Sequence, residues 1–414
     1  MPTTTAEETK KSEASKDKKS ELLLDSLEIK GYRCFEHLTI EKLDRVNLIV
    51  GKNNVGKTAL LEALWIYALK GTSQILLEVL ESRRELSEGN SVGSSNHKAF
   101  DLRPLFYKGN GSEKSSFEIG VAYDDRSQTL KIEMSWLVSE IKQLKEIDNS
   151  QVLKEEEIDN SQVLVLREYG GKPDKLLATP YVKRSYATSN NLEPLFSNEQ
   201  NSNRLRSTTG FSFNSAASVL TDTLNVFIFA NGLNSFDMAR LWDRASILGD
   251  EQVVLTALNL IFDPQGKRIR KLNFANIYSE NSERIPIINI ADSNEPVSLY
   301  SLGKGMINIL GIALGLVNCK AKLLLIDEIE TGLHYSVLLD VWRMIFKTAR
   351  EWNVQVFATT HSSDCIKAFQ RAAEEDKEDE GMLIRLVRKG DKIKAVLFDE
   401  EELETVVENN IEVR

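Results

Sequence analysis

Cysteine is scarce in this chain of 414 residues. The three that occur, Cys34, Cys319 and Cys365, are far apart and odd in number. They form neither a disulfide framework nor a metal-ligand spacing, so a reducing cytoplasm is the expected compartment. Long apolar runs are missing as well. None approaches the roughly 20 residues that cross a bilayer, so no membrane span is expected. The opening MPTTTAEETKKSEASKDKKSE carries charge but no apolar centre. It reads as a disordered tail over residues 1–20 and not as a secretory signal. Positive charge is not in excess either. The net charge is -10, whereas a chain that binds nucleic acid over its whole surface is usually basic. The local basic stretch GKRIRK, residues 266–271, reads most simply as a solvated turn and edge strand.

Enough apolar material remains for a sizeable core. Hydrophobic residues make up 42% of the chain and charged residues 28%, the balance of a soluble globular protein. The length allows two or three domains, or one large α/β domain with insertions. LLLDSLEIKGYRCFEHLTIEKLDRVNLIVG reads as strands broken at Gly31 and at Asp44-Arg45. Thr58 to Leu69 reads as a helix that is apolar on nearly all sides, with Gly71 as its cap. SFEIGVAYDD and TLKIEMSWLV alternate and read as a hairpin. EIDNSQVL occurs twice, at 146–153 and 157–164. One duplication is too little for a repeat architecture and reads as an insertion in a solvated arm. Residues 185–215, rich in Ser and Asn, read as a flexible segment.

A helical pair broken at Gly249 follows, then several strands up to Tyr300. From there helix 304–317, strand 322–327, helix 335–351, strand 354–360 and helix 362–375 alternate, and a hairpin closes the chain. Such alternation implies a parallel sheet with helices packed on it. The acidic run at 374–381 reads as a solvated loop. The expected organisation is a tail to residue 20, an N-terminal part of one α/β unit over 21–137, a variable insertion and helical lobe over 138–295, and a C-terminal part over 296–414.

GKNNVGKT matches G-x-x-x-x-G-K-[ST] in full: Gly51, Lys52, Asn53, Asn54, Val55, Gly56, Lys57, Thr58. A strand at Val46–Val50 enters the loop and a helix leaves it, as the motif requires. The two glycines let successive backbone N–H groups turn inward on an anion, and the positive end of the helix adds to that field. Lys57 supplies a charge for the β- and γ-phosphates, and the Thr58 hydroxyl suits Mg²⁺. The alternative is a glycine-rich turn with an exposed lysine.

KLLLIDEIE places four apolar residues, Leu323 to Ile326, ahead of two carboxylates, as in a central parallel strand buried on both faces. Asp327 and Glu328 then stand at the strand end, where open α/β sheets bind ligands. Neighbouring side chains on a strand point opposite ways, so the two acids take different roles. Asp327 is the candidate for the Mg²⁺ shell and Glu328 for the general base that orients a water on the γ-phosphate. The next strand, VQVFATTHS, ends in His361, which can donate to a phosphate oxygen. A helix N-cap histidine beside Ser362 is the plainer alternative.

Taken in this order, Gly51–Thr58, SLYSLGKGMINILGIALGL, Leu323–Glu328, ETGLH and Thr360–Ser362 resemble the ABC-type ATPase heads of the SMC, RecF and OLD group. The likeness is to stand-alone ATP-binding proteins of the AAA type. It covers residues 22–71 and 297–366 closely. It implies a P-loop NTPase fold with a mostly parallel central sheet, an antiparallel β lobe and a helical insertion. It also implies a composite site, in which two subunits sandwich ATP between the phosphate loop of one and the signature helix of the other. Here the signature would be Ser301, Gly303 and Gly305, leading into a helix that starts near Met306. His334 would reach toward the opposite site. The signature reads SLGKG rather than LSGGQ, and no lid glutamine is identifiable in the middle of the chain.

Several rivals fit less well. A ring-forming AAA+ motor carries its acids much closer to the phosphate loop, whereas 270 positions separate Lys57 from Asp327 here. A transporter subunit is disfavoured by the signature, a GTPase by the lack of N-K-x-D, and a nucleotide-gated scaffold without turnover by Glu328. Relatives of the resembled group act in DNA repair, or in anti-phage defence beside a TOPRIM-type nuclease. With 53 residues after His361, any nuclease is expected in trans. Duplex DNA across a dimer groove stays a second expected partner beside self-association.

Overall fold

The computed structural model describes residues 22–85, 98–99, 102–109, 114–123, 129–138, 157–158, 161–162, 178–186, 189–194, 196–197, 224–262, 268–276, 283–291, 293, 295–376 and 381–398. Two six-stranded sheets organise them. The antiparallel sheet is built from β1 (Leu27–Tyr32), β2 (Phe35–Ile40), β4 (Lys114–Gly120), β5 (Leu130–Val138), β6 (Ala178–Tyr186) and β7 (Ser189–Pro194), in the order β7-β6-β5-β4-β1-β2. The central sheet takes β3 (Val46–Val50), β8 (Val226–Ile228), β12 (Leu323–Ile326), β13 (Gln355–Thr359), β14 (Gly381–Lys389) and β15 (Lys392–Phe398). Its order is β8-β12-β13-β3-β14-β15, parallel except for β15. A smaller sheet joins β9 (Ile269–Ala275), β10 (Ile285–Ile290) and β11 (Val297–Ser298).

The parallel strands are apolar without interruption because both of their faces are covered. Every residue of β3, β12 and β13 is buried. Val46, Leu48, Val50, Leu324, Ile326, Val356 and Ala358 face one core. Ile49, Leu323, Leu325 and Phe357 face the other. The first core is closed by α3 (Ser235–Leu248), α4 (Glu251–Ile261), α5 (Lys304–Asn318), α6 (Tyr335–Glu351) and α7 (Ser363–Asp376). On α6 the buried residues Leu338, Val341, Trp342, Ile345, Phe346 and Ala349 recur every three or four positions, one stripe on an otherwise polar helix. The second core takes α1 (Lys57–Ala68), α2 (Ser73–Ser82) and strands β1, β2, β4 and β5 of the antiparallel sheet. Helix α1 lies between layers, so Ala59 through Ile66 are all buried. Its Trp65 meets Phe227 of β8 edge-on at 5.2 Å.

Three local expectations change. The break between β1 and β2 falls at Arg33-Cys34 and not at Gly31, because Arg33 adopts φ 48° and Tyr32 already pairs with Phe35. Helix α2, which the sequence reading passed over, buries Ile75, Leu76, Val79 and Leu80 against the second core. Part of the segment read as flexible is strand: β7 pairs with β6 from Ser189↔Tyr186 to Pro194↔Tyr181. Its polar letters hide this, because backbone ladder bonds at a sheet edge need no apolar pattern. Of that segment, residues 187–188, 195 and 198–215, with most of the duplicated EIDNSQVL and residues 377–380, lie outside the described residues. No helix among the described residues is long and apolar enough to cross a membrane.

Candidate active site

Parallel pairing brings the separate motifs to one edge. Ile49 of β3 is level with Thr359 of β13, and Ala358 with Ile326 of β12. The phosphate loop, Asp327 and His361 therefore all leave the sheet at its C-terminal side, 270 and 304 positions from Lys57 notwithstanding. The loop begins at Gly51 and runs into α1, which starts at Lys57. Gly56 has φ 96°, and a Cβ there would lie 2.6 Å from the Cys34 sulfur. Only glycine fits that turn without moving the β1–β2 turn beside it. Lys57 is 6% exposed. Its Nζ donates to the Gly51 carbonyl at 2.7 Å and to the Lys52 carbonyl at 3.1 Å. Burial pulls its pKa below the usual lysine range, with Asp327, Glu328 and Glu330 pulling the other way.

Alternation on β12 places Asp327 on the side of Leu323 and Leu325, which is the α1 side. There the Thr58 hydroxyl donates to its carboxylate at 3.0 and 3.3 Å. Thr359 of β13 donates to the same carboxylate at 2.6 Å. Asp327 is 8% exposed, so these hydrogen bonds fix its direction. Hydroxyl and carboxylate oxygens side by side are hard donors that suit Mg²⁺, an ion that takes one or two carboxylates and fills its shell with water and phosphate oxygens. Thr359 also accepts the Glu328 N–H, at 2.8 Å. Thr359→Val should therefore leave the Glu328 N–H without this acceptor, take one of two hydroxyl donors from Asp327, and lower stability by about 2 kcal/mol. A chemical-denaturation midpoint equal to wild type would refute that.

Glu328 leaves the strand direction with φ 50°, a left-handed conformation that costs about 1–2 kcal/mol in a residue with a Cβ. The turn swings its side chain away from Asp327 and into the nucleotide-sized cavity, where it is 44% exposed and its Oε1 lies 3.9 Å from His361 Nε2. His361 does not cap α7. The Ser362 hydroxyl does so, accepting the Cys365 N–H at 3.3 Å.

That cavity has a volume of about 720 Å³ and is lined by Asn53, Asn54, Gly56, Lys57, Thr58, Glu328 and His361, among others. Sequence reasoning missed its remaining walls. Arg33 and Arg83 line it, and both are held on the buried Glu62 of α1, at 2.8 and 2.5 Å. Burial pushes the Glu62 carboxyl up, against the pull of Arg33 and Arg83. An arginine following a strand and another following α2 carry no motif of their own, so only the fold reveals them. Tyr107, Lys108, Arg388 and Asp391 line it too, with Arg388 donating to the Asn54 carbonyl at 2.9 Å. A second cavity of about 410 Å³ touches Thr58 and Asp327 and is walled by residues 229–234. Asn231 and Asn234 stand there, in the stretch where no lid residue was legible in sequence.

The signature residues are placed apart from this cavity. Ser301 donates to the Ser298 carbonyl at 2.7 Å and is exposed. Gly303, at φ 97°, caps α5, which starts at Lys304 and not near Met306. Gly305 is needed for close approach within the protomer, since a Cβ there would lie 2.6 Å from the Gly332 carbonyl oxygen. His334 caps α6, its Nδ1 accepting the Ser336 N–H at 3.4 Å.

With this geometry, the family assignment follows. Residues 46–364 match the family described as "AAA domain, putative AbiEii toxin, Type IV TA system". The chain belongs to this family. It is a P-loop ATPase. An "ATP/GTP phosphatase" of Helicobacter pylori is 24% identical over 363 residues, covering 85% of this chain and 89% of that protein. The "DNA replication and repair protein RecF" of Thermomicrobium roseum is 34% identical over 110 residues, covering 27% of this chain and 26% of its own. Among solved structures, an SMC head bound to the C-terminal winged-helix domain of ScpA superposes with a TM-score of 0.43 at 12% identity, covering 92% of this chain and 99% of that one.

Proposed function

We propose that this ATPase uses nucleotide to build and release an assembly that licenses a nuclease acting in trans, in defence against phage. The observation that carries the catalytic half is the convergence of Lys57, Thr58, Asp327, Glu328 and His361 on one sheet edge. In this reading loop amides and Lys57 hold the phosphates, and Thr58 and Asp327 hold Mg²⁺. The bound ion would polarise the terminal phosphoryl group and offset its negative charge. Glu328 takes the proton of the attacking water onto its carboxylate. His361 donates from its ring to an oxygen of the phosphoryl group being transferred.

The assembly half is supported by the signature residues, which line no part of their own protomer's nucleotide cavity. Tyr300, 45% exposed, and Tyr335, 66% exposed, lie next to the α5 and α6 N-termini and offer apolar contact area there. A second copy placed against that end would complete the site with a helix N-terminus. Mixing Lys57→Ala protomers with Ser301→Arg protomers tests it. One site of the mixed dimer carries neither lesion, so ATPase activity should return to about a quarter of wild type, given random pairing and independent sites. Complete inactivity of the mixture refutes the shared site.

A second reading, DNA maintenance, is favoured by the local likeness to RecF. Turnover stimulated by duplex DNA in the absence of any protein partner would select it over the first.

A further inference from the structure

The turn between β12 and α6 holds a carboxylate that neither the phosphate grip nor the proton transfer uses. We infer that Glu330 is a positioning residue for His361, clamping the histidine's backbone so that its imidazole is presented at a set angle to the phosphate end of the cavity. The inference rests on the reading of His361 given above.

The His361 N–H lies just past the end of β13, where the sheet ladder has stopped. Glu330 Oε1 takes it at 2.7 Å, across 31 positions of sequence. The preceding peptide is held to β3 by the Thr360 N–H on the Ile49 carbonyl, at 3.2 Å. The following one is held by the Ser362 N–H on the Thr360 hydroxyl, at 3.0 Å. Without Glu330 the peptide between them would keep no partner of its own, and a ring that is 39% exposed would be free to swing. The other carboxylate oxygen, Oε2, is buried with no hydrogen-bond partner among the described residues. An acceptor buried in that state costs stability. A group present only to strengthen the fold would not be expected there.

The clamp is itself rigid. The Ile329 N–H donates to the Thr359 carbonyl at 3.0 Å, Thr331 N–H to the Glu328 carbonyl at 2.9 Å, and Leu333 N–H to the Glu330 carbonyl at 3.0 Å. One turn therefore carries Glu328 in its backbone and His361 on a side chain, and sets the two relative to each other. The same turn touches α5: Asn308 donates to the Thr331 carbonyl, and Gly332 abuts Gly305.

Steady-state kinetics and binding of a fluorescent ATP analogue, with and without Mg²⁺, test this. Glu330→Ala should lower kcat by about 10²-fold, the scale of a misplaced group. Its analogue affinity should stay within about twofold of wild type, since the clamp is not part of the grip. Glu330→Gln keeps an acceptor oxygen and should retain most of kcat. Glu330→Asp withdraws it by one methylene and should behave like Glu330→Ala; this pair carries the test if the alanine variant does not fold. In a His361→Ala background, Glu330→Ala should cause no further loss. Equal losses in both backgrounds, or a loss of affinity matching the loss of rate, overturn the positioning role. So does full activity of Glu330→Ala beside a slow His361→Ala. Full activity of His361→Ala overturns the reading of the histidine itself, and this inference with it.

Discussion

Lys57→Ala severely weakens nucleotide binding: this is the expected result with the largest effect. The lysine is nearly buried inside its own loop, donating to the Gly51 and Lys52 carbonyls. Among the cations lining the cavity it is the one carried on α1 itself, at the end of the glycine-bounded loop. Its removal takes away the charge and also frees two loop carbonyls to turn inward, where they would repel phosphate oxygens. Truncating one partner of a close buried charge pair costs about 2–5 kcal/mol, or roughly 30- to several-thousand-fold in affinity. Titration with a fluorescent ATP analogue measures it. A dissociation constant within threefold of wild type would place the nucleotide elsewhere. The fold should hold, because α1 is anchored in the core by Ala59 through Ile66 as well as by Lys57.

Glu328→Gln should separate binding from turnover. Glutamine is close in size and can still orient a water through its carbonyl oxygen, but it cannot take the proton. General-base contributions of about 10²–10⁴-fold set the expected loss in kcat. Nucleotide affinity should be unchanged, since Glu328 stands off the phosphate loop and its side chain is open to solvent. With hydrolysis stalled, the ATP-bound assembly should persist, shifting the chain to larger size in gel filtration with ATP and Mg²⁺. Hydrolysis at the wild-type rate would remove Glu328 from the role. A stalled variant that never changes size would leave the chemistry and refute the assembly.

The contrast between Asp327 and Glu328 also shows where sequence patterning stops. Alternation along a strand separates the two acids and assigns Asp327 to the α1 side, and the structure places Thr58 and Thr359 around it there. Alternation says nothing about Glu328, because the strand ends before it and the backbone turns left-handed. Thr359 follows the same division. Its hydroxyl organises both acids, yet in the linear chain it is one more β-branched residue in a buried strand. Glu62 and Glu330 were unreadable for a related reason. Each works through a partner 29 or more positions away, Arg33 or His361, and no local period encodes such a pairing.

What the linear order of residues determined by itself is therefore the grip and the layers. A glycine-bounded loop between an apolar strand and an all-round apolar helix can fold in few ways, since backbone φ limits and burial act over neighbouring residues. Uninterrupted Leu and Val runs likewise demand a strand covered on both faces. Tertiary structure alone decided which groups wall the cavity, that the signature glycine packs on the 331–334 turn of its own protomer, and that the polar stretch at 189–194 is an edge strand. Those outcomes depend on contacts between segments tens to hundreds of positions apart. Their energies come from ladder bonds, ion pairs and close approach, none of which leaves a periodic mark in sequence.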